Sequence, residues 1–206
     1  MDVVRDGLSA DEPEVRRVAL GAARRLELLD PAALVRALDD AAVMVRVRAA
    51  EVVAEMVGPP PDDEAGEVPA PAPLPQIDPS VVDALVRQLE HPACAEAAAF
   101  ALGEVGASTP AAAGALEHQA AHHEDALCRE AAVAALGTIG VGQATVVAAM
   151  GDIATVRRRA VVALAAFDGD EVDAALRAAL TDRDWQVRQV AEDLVAIDEN
   201  QDQSGA

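Results

Sequence analysis

A chain of 206 residues with 52% hydrophobic content can bury a sizeable core, yet its aromatics are only Phe100, Phe167 and Trp185. A core built from Ala, Leu and Val favours close helix-on-helix packing over sheets, where β-branched and aromatic residues are enriched. The net charge of −20, with Arg at all 16 Lys/Arg positions, excludes phosphate backbones and anionic lipid as partners. That charge fits basic partners and a salt-adapted composition equally well.

The opening MDVVRDGLSADEPEV has no basic region followed by an apolar stretch, so no signal peptide is expected. No apolar run approaches the roughly 18 residues of a membrane span. Two cysteines, Cys94 and Cys128, make no disulfide framework. A cytoplasmic protein is expected, beginning with a short capping helix over Asp2 to Leu8.

Six segments then recur along the chain: EVRRVALGAARRL, MVRVRAAEVVAEM, ACAEAAAFALGEV, LCREAAVAALGTI, TVRRRAVVALAAF and QVRQVAEDLVAI. Each opens on Val15, Val45, Cys94, Cys128, Val156 or Val187. Four residues later stands Ala every time: Ala19, Ala49, Ala98, Ala132, Ala160 and Ala191. Eight later come Ala23, Val53, Leu102, Leu136, Leu164 and Val195; eleven later come Leu26, Met56, Val105, Ile139 and Phe167. Offsets 0, 4, 8 and 11 share one face of an α-helix, and the small Ala lets a neighbouring helix approach closely. Arg follows the opening residue at Arg16, Arg46, Arg129, Arg157 and Arg188; Ala95 is the exception.

Shorter helices are predicted between these. Asp30-Pro31, Asp78-Pro79 and Thr109-Pro110 each set a capping side chain before a proline suited to the first turn; Asp170 opens a similar segment. Their apolar positions are Leu34 and Leu38; Val82, Leu85 and Leu89; Val146 and Met150; Val172, Leu176 and Leu180. Gly58, Gly106, Gly140 and Gly169 stand where left-handed helix ends are wanted. The unit is a helical hairpin of about thirty residues whose face is buried only against its neighbours, so the hairpins stack in a line. Seven of the twelve prolines fall between Pro59 and Pro75, so residues 58–77 are expected to form a disordered loop inserted in the second repeat. A single solenoid over 1–198 and a disordered acidic tail over 199–206 complete the domain reading.

The strings ALGEVG (101–106), ALGTIG (135–140) and DRDWQVRQVA (182–191) resemble HEAT repeats, in particular the bacterial, phycobilisome-lyase type. The resemblance implies an all-α, right-handed α-solenoid of five to six HEAT-like hairpins, its second helices lining the concave side. It also implies an Arg–Asp ladder through the turns, for which Asp11, Asp40, Asp125, Asp152 and Asp184 are the candidates. The HEAT-like di-iron hydroxylases carry His-Glu pairs where this chain has Ala95-Glu96 and Arg129-Glu130, so that activity is rejected. HEAT-like DNA glycosylases need a basic, aromatic-lined groove, which this composition does not offer.

Other constellations are read as structural. His118 and His122 lie one turn apart, but no second motif completes a metal site. Cys94 and Cys128 read as small buried hydrophobes. No phosphate-binding glycine loop or nucleophile elbow appears. No catalytic residue, cofactor or metal is therefore assigned.

Offsets 2, 6 and 9 point away from the buried face. There the middle repeats present an apolar strip of Phe100, Ala134 and Val162 with Arg at both ends. Such a strip suits a partner helix or extended peptide. The candidate partner-binding residues are Arg17, Arg24, Arg48, Glu51, Phe100, Ala134, Arg158 and Val162. The expected function is a non-enzymatic, monomeric scaffold or adaptor binding a protein or peptide on its concave face. A bilin-lyase-like, chromophore-handling subunit is the alternative.

Overall fold

The computed structural model describes residues 2–57 and 77–204, with side chains to Ala196. Two compact units divide the chain, Met1–Ala107 and Ser108–Ala206. Among the described residues every regular element is helical.

The first unit holds α1 (Asp2–Gly7), α2 (Pro13–Arg25), α3 (Pro31–Leu38), α4 (Val43–Val57), α5 (Pro79–Gln88) and α6 (Ala95–Glu104). These pack as pairs, α1 with α2, α3 with α4 and α5 with α6. The second helices stack in order, α2 on α4 on α6, and α3 lies on α5. The second unit repeats the plan with α7 (Pro110–His122), α8 (Ala126–Ile139), α9 (Gln143–Ala148), α10 (Ala154–Leu164), α11 (Asp170–Ala179) and α12 (Trp185–Ser204). A 3₁₀ turn, Ala149–Gly151, follows α9, and α8, α10 and α12 form the stack.

Local chemistry sets these boundaries. Asp30 accepts a hydrogen bond from Ala33 N at 2.7 Å, Asp78 from Ser80 N at 2.9 Å and Thr109 from Ala112 N at 3.2 Å. Each satisfies an orphan donor of the first turn ahead of its proline. At the other end, Gly106 and Gly140 take φ of +62° and +75°. They allow Ala107 N to reach Leu102 O and Val141 N to reach Leu136 O, both at 3.1 Å, the closing bond of a Schellman cap. Gly169, expected to end a helix, instead precedes α11 as its N-cap. Gly58 lies outside the described residues, as do residues 58–76 of the proline-rich loop.

All six alanines at offset 4 are buried, and so are five of six opening residues, Val15 being the exception. Offset 11 departs from expectation: Leu26 and Met56 are exposed, and Val105, Ile139 and Phe167 are half-buried. Offsets 5 and 7 are buried in its place, as Leu20, Ala50, Ala99, Val133 and Val161, and as Val52, Ala101, Ala135 and Ala163. An inner second helix is clasped by its own first helix and by the second helices before and after it. Its buried arc is therefore wider than one stripe and rotated from offset 11. The backbone of α12 continues to Ser204, into the segment read as a disordered tail; no Gly or Pro interrupts it before Gly205.

Arg at offset 1 staples the turns. Arg16 donates from Nε and Nη2 to Asp40, Arg129 to Asp152 and Arg157 to Asp182, with every contact at 2.7–2.8 Å. Each of these aspartates belongs to the following hairpin. Nη1 meanwhile holds the Arg's own turn through backbone carbonyls, Ala10 O and Asp11 O for Arg16 and His123 O and Glu124 O for Arg129. One guanidinium thus ties two successive turns with a bidentate fork. Of the expected acids, Asp40 and Asp152 take this role and Asp182 joins them. Asp125 and Asp184 instead accept from Leu127 N and Gln186 N as helix caps, and Asp11 contributes only its carbonyl.

Candidate functional site

In the first unit Arg24, Arg48 and Glu51, three of the expected anchors, join Glu55 in an ionic network. Arg24 on α2 reaches Glu55 on α4 at 2.6 Å, and Arg48 reaches Glu51 at 2.9 Å and Glu55 at 2.8 Å. Gly21 makes room for this: a Cβ there would stand 3.4 Å from Nη2 of Arg48. Arg48 is held further toward its charged form, chiefly by its hydrogen bond to Glu55 and against partial burial. Two cations and two carboxylates largely cancel, so Arg24, Arg48 and Glu51 offer little free charge to a partner. Glu55, which completes the network, stands at offset 10, outside the positions expected to face outward. Arg17 on α2 is exposed. Phe100 on α6 is 55% exposed, between Glu96 and Glu104 at the adjacent turns.

In the second unit Ala134 and Val162 come together. They line a shallow cleft of about 350 Å³ between α8 and α10, with Gly137, Thr138, Arg159 and Ala166. Small residues create it. A Cβ on Gly137 would stand 2.5 Å from the Cβ of Ala163 and 2.7 Å from its Cα, so α8 and α10 touch nearly backbone to backbone there. No large side chain fills the furrow above that contact.

The Arg triplet that opens α10 divides three ways. Arg157 is a turn staple, buried against Asp182. Arg158, an expected anchor, is half-buried and approaches Gln186 Oε1 at 3.5 Å. Arg159 stands at the cleft rim, paired with Glu130 at 3.2 Å. Offset 2 points to Arg158, yet Arg159, one residue on, is the cation that lines the cleft. The signal for it was Glu130 at the matching height of the previous second helix.

A larger open cleft of about 710 Å³ lies between α7 and α9, lined by Ala120, His122, His123, Thr145 and Ala148 among others. Its charged wall is the Arg129–Asp152 pair, whose hydrogen bonds are already used within the staple. The rings of His118 and His122 lie 4.9 Å apart at 55°, and Nδ1 of His123 accepts from Asp125 N at 3.0 Å. Among the described residues no three His, Cys, Asp or Glu side chains gather as a metal would require. Cys94 and Cys128 are both buried and are not joined in a disulfide. No helix among the described residues is long and apolar enough to cross a membrane.

No protein-family model matches this chain, and no curated protein does. Solved structures do. An engineered protein is similar over 95% of this chain and 96% of its own, at 21% identity and a TM-score of 0.61. Computationally designed armadillo repeat proteins for modular peptide recognition match over 95% and 98%, at 17% identity and a TM-score of 0.60. A further designed armadillo repeat protein covers the same shares at 16% identity and a TM-score of 0.60. The chain has the fold of an all-helical repeat solenoid. At these identities the likeness carries the fold and does not distinguish the HEAT type from the armadillo type.

Proposed function

We propose that the chain is a non-enzymatic scaffold that binds an extended peptide or a partner helix along the face of its second helices. The resemblance to HEAT repeats makes that face the concave one. The observation that carries the reading is the α8–α10 cleft, lined by the small residues Ala134, Gly137, Ala163 and Ala166 together with Val162 and Arg159. An apolar furrow with a paired cation at its edge suits a segment with one small apolar anchor beside a polar or acidic group. Exposed Phe100 is a second anchor of the same kind. The designed armadillo proteins of the same fold are described as made for modular peptide recognition, which supports this reading by analogy only.

The experiment is selection of a random peptide library on the pure protein, followed by mapping of the enriched peptide by amide chemical shifts. Perturbations should cluster at Ala134, Gly137, Thr138, Arg159 and Val162, and Val162→Asp should remove binding without changing the helical circular dichroism. The reading is lost if no peptide is enriched, or if the perturbations lie on the first helices.

A further inference from the structure

The first of the stacked second helices, α2, leaves an apolar stripe uncovered by α1. Val15, Val18, Ala22 and Leu26 follow one another at three- and four-residue spacing along α2, so they share one face. Val15, Val18 and Leu26 are 44%, 59% and 51% exposed, and Ala22 is half-buried. The equivalents of Val15 and Ala22 on α4 are Val45 and Val52, and both are fully buried in a helix packed on α2, α3 and α6. Helix α1 does not do for α2 what α2 does for α4. It has six residues and buries none of them. Its Gly7 lies against Ala19, at the edge of the stripe near Val15.

The flank of the stripe carries a charge pattern of its own. Glu14 and Arg25 are eleven residues apart, which at 3.6 residues per turn places them about 20° from each other around the helix. Both are exposed, and neither pairs with another described residue. The acid is at the start of the helix and the cation at its end.

We propose that this stripe is a self-association surface, on which α2 of one copy packs antiparallel against α2 of a second copy across a two-fold axis. A two-fold axis perpendicular to the helix pair brings the same flank of each helix together with the direction reversed. Glu14 of each copy then meets Arg25 of the other, twice over, and Ala22 near the middle lets the helices approach. In a parallel pair the two-fold axis runs along the helices and puts the two Glu14–Arg25 flanks on opposite sides of the seam, where they do not meet. The charge pattern therefore selects the antiparallel one. Four aliphatic side chains per copy make a patch smaller than a standard interface, and a net −20 on each copy opposes the encounter. The dimer is accordingly weak, with a dissociation constant of about 10–100 μM.

Sedimentation equilibrium of the full chain at near-physiological salt, from about 5 to 500 μM to span that constant, tests this. The wild type should pass from monomer to dimer over the range and go no further. Val18→Asp should remain monomeric throughout, with unchanged helical circular dichroism and melting. Glu14→Arg and Arg25→Glu should each weaken the dimer about tenfold or more, which is about 1.4 kcal/mol, and the double variant should recover it. A wild type monomeric at every concentration overturns the proposal, as does a dimer that survives Val18→Asp. Growth beyond the dimer overturns it too, because a two-fold contact closes on itself. Failure of the double variant to recover overturns the antiparallel register.

Discussion

Arg157 on α10 grips Asp182, which lies beyond α11 in the next hairpin, through Nε to Oδ2 at 2.8 Å and Nη2 to Oδ1 at 2.7 Å. Its Nη1 holds Asp152 O of its own turn at 2.7 Å. The guanidinium side chain is 5% exposed, and its charge is tolerated there because each of its three nitrogens has an acceptor, two of them on a carboxylate.

Arg46 occupies the same place in the second hairpin without the same partner. Its Nη1 bonds Asp40 O and Ala41 O, but its Nε is buried with no acceptor. At the corresponding place in the following turn, five residues before Cys94 as Asp40 is before Val45, this chain has buried Leu89 instead of Asp. Arg157→Met should lower stability by about 2 kcal/mol or more, since it leaves the Asp182 carboxylate partly buried and unpaired. Arg46→Met strands no carboxylate and should cost under about 1 kcal/mol. Urea midpoints of the two variants, compared at equal m, decide the matter. Equal losses would mean that the backbone bonds alone carry the staple.

The three staples also fix the response to acid. Hydrogen bonds from Arg16, Arg129 and Arg157 hold the carboxyls of Asp40, Asp152 and Asp182 below the ordinary carboxylate range, against a smaller opposing effect of burial. A carboxyl with a depressed folded-state pKa stabilises fully above its unfolded value, near 4, and that contribution is lost as pH falls through the folded value. The melting temperature should therefore be insensitive to these groups from about pH 5 to 8 and should fall below about pH 4. Asp182→Asn should melt lower at neutral pH and show a shallower acid limb. An acid limb as steep as that of the wild type would remove Asp182 from this account.

Much of the architecture was legible because it rests on local chemistry repeated six times. The Ala at offset 4, the Asp-Pro and Thr-Pro caps and the terminal glycines each act within a few residues, so spacing alone reveals them. What failed to read was non-local. Leu26 and Met56 look like seam residues from the helical wheel, yet which arc is buried depends on three neighbouring helices rather than on period. Arg24 and Arg48 look like free anchors, yet their neutralisation depends on Glu55, thirty-one residues from Arg24 in the chain. The α8–α10 cleft was half legible: Ala134 and Val162 follow from their offsets, whereas Arg159 faces the cleft only because Glu130 draws it there.

The floor of that cleft gives a packing prediction. A Cβ on Gly137 would stand 2.5 Å from Ala163 Cβ and 2.7 Å from its Cα, and backbone cannot yield as a side-chain tip can. Gly137→Ala should therefore destabilise by about 1–3 kcal/mol through overpacking, although Ala is the better helix former by about 1 kcal/mol. Removing the Ala163 Cβ relieves the closer clash but not the one with Cα. The double variant Gly137→Ala, Ala163→Gly should thus recover only part of the loss, a coupling readable in a double-mutant cycle. A Gly137→Ala variant as stable as the wild type would show that α8 and α10 are free to separate, and that the cleft has no fixed depth.

The end of α2 offers the opposite change. Glu27 has φ of +54°, the positive-φ non-glycine residue among those described. It stands twelve residues past Val15, where Gly106 and Gly140 stand past Cys94 and Cys128. The backbone closes in the same way, with Leu28 N reaching Ala23 O at 2.9 Å. The cap geometry is therefore imposed by the bonds, and the Cβ of Glu27 sits in it at a steric cost that glycine avoids. Glycine also loses more backbone freedom on folding, which offsets part of the relief. Glu27→Gly should raise stability by a net of about 0.5–1 kcal/mol, and Glu27→Val should lower it, because a β-branched residue is least able to take positive φ. Thermal melts of the two variants beside the wild type should order as Gly, Glu, Val. If glycine melts below glutamate, the Glu27 side chain supplies an interaction that outweighs the strain of its own backbone.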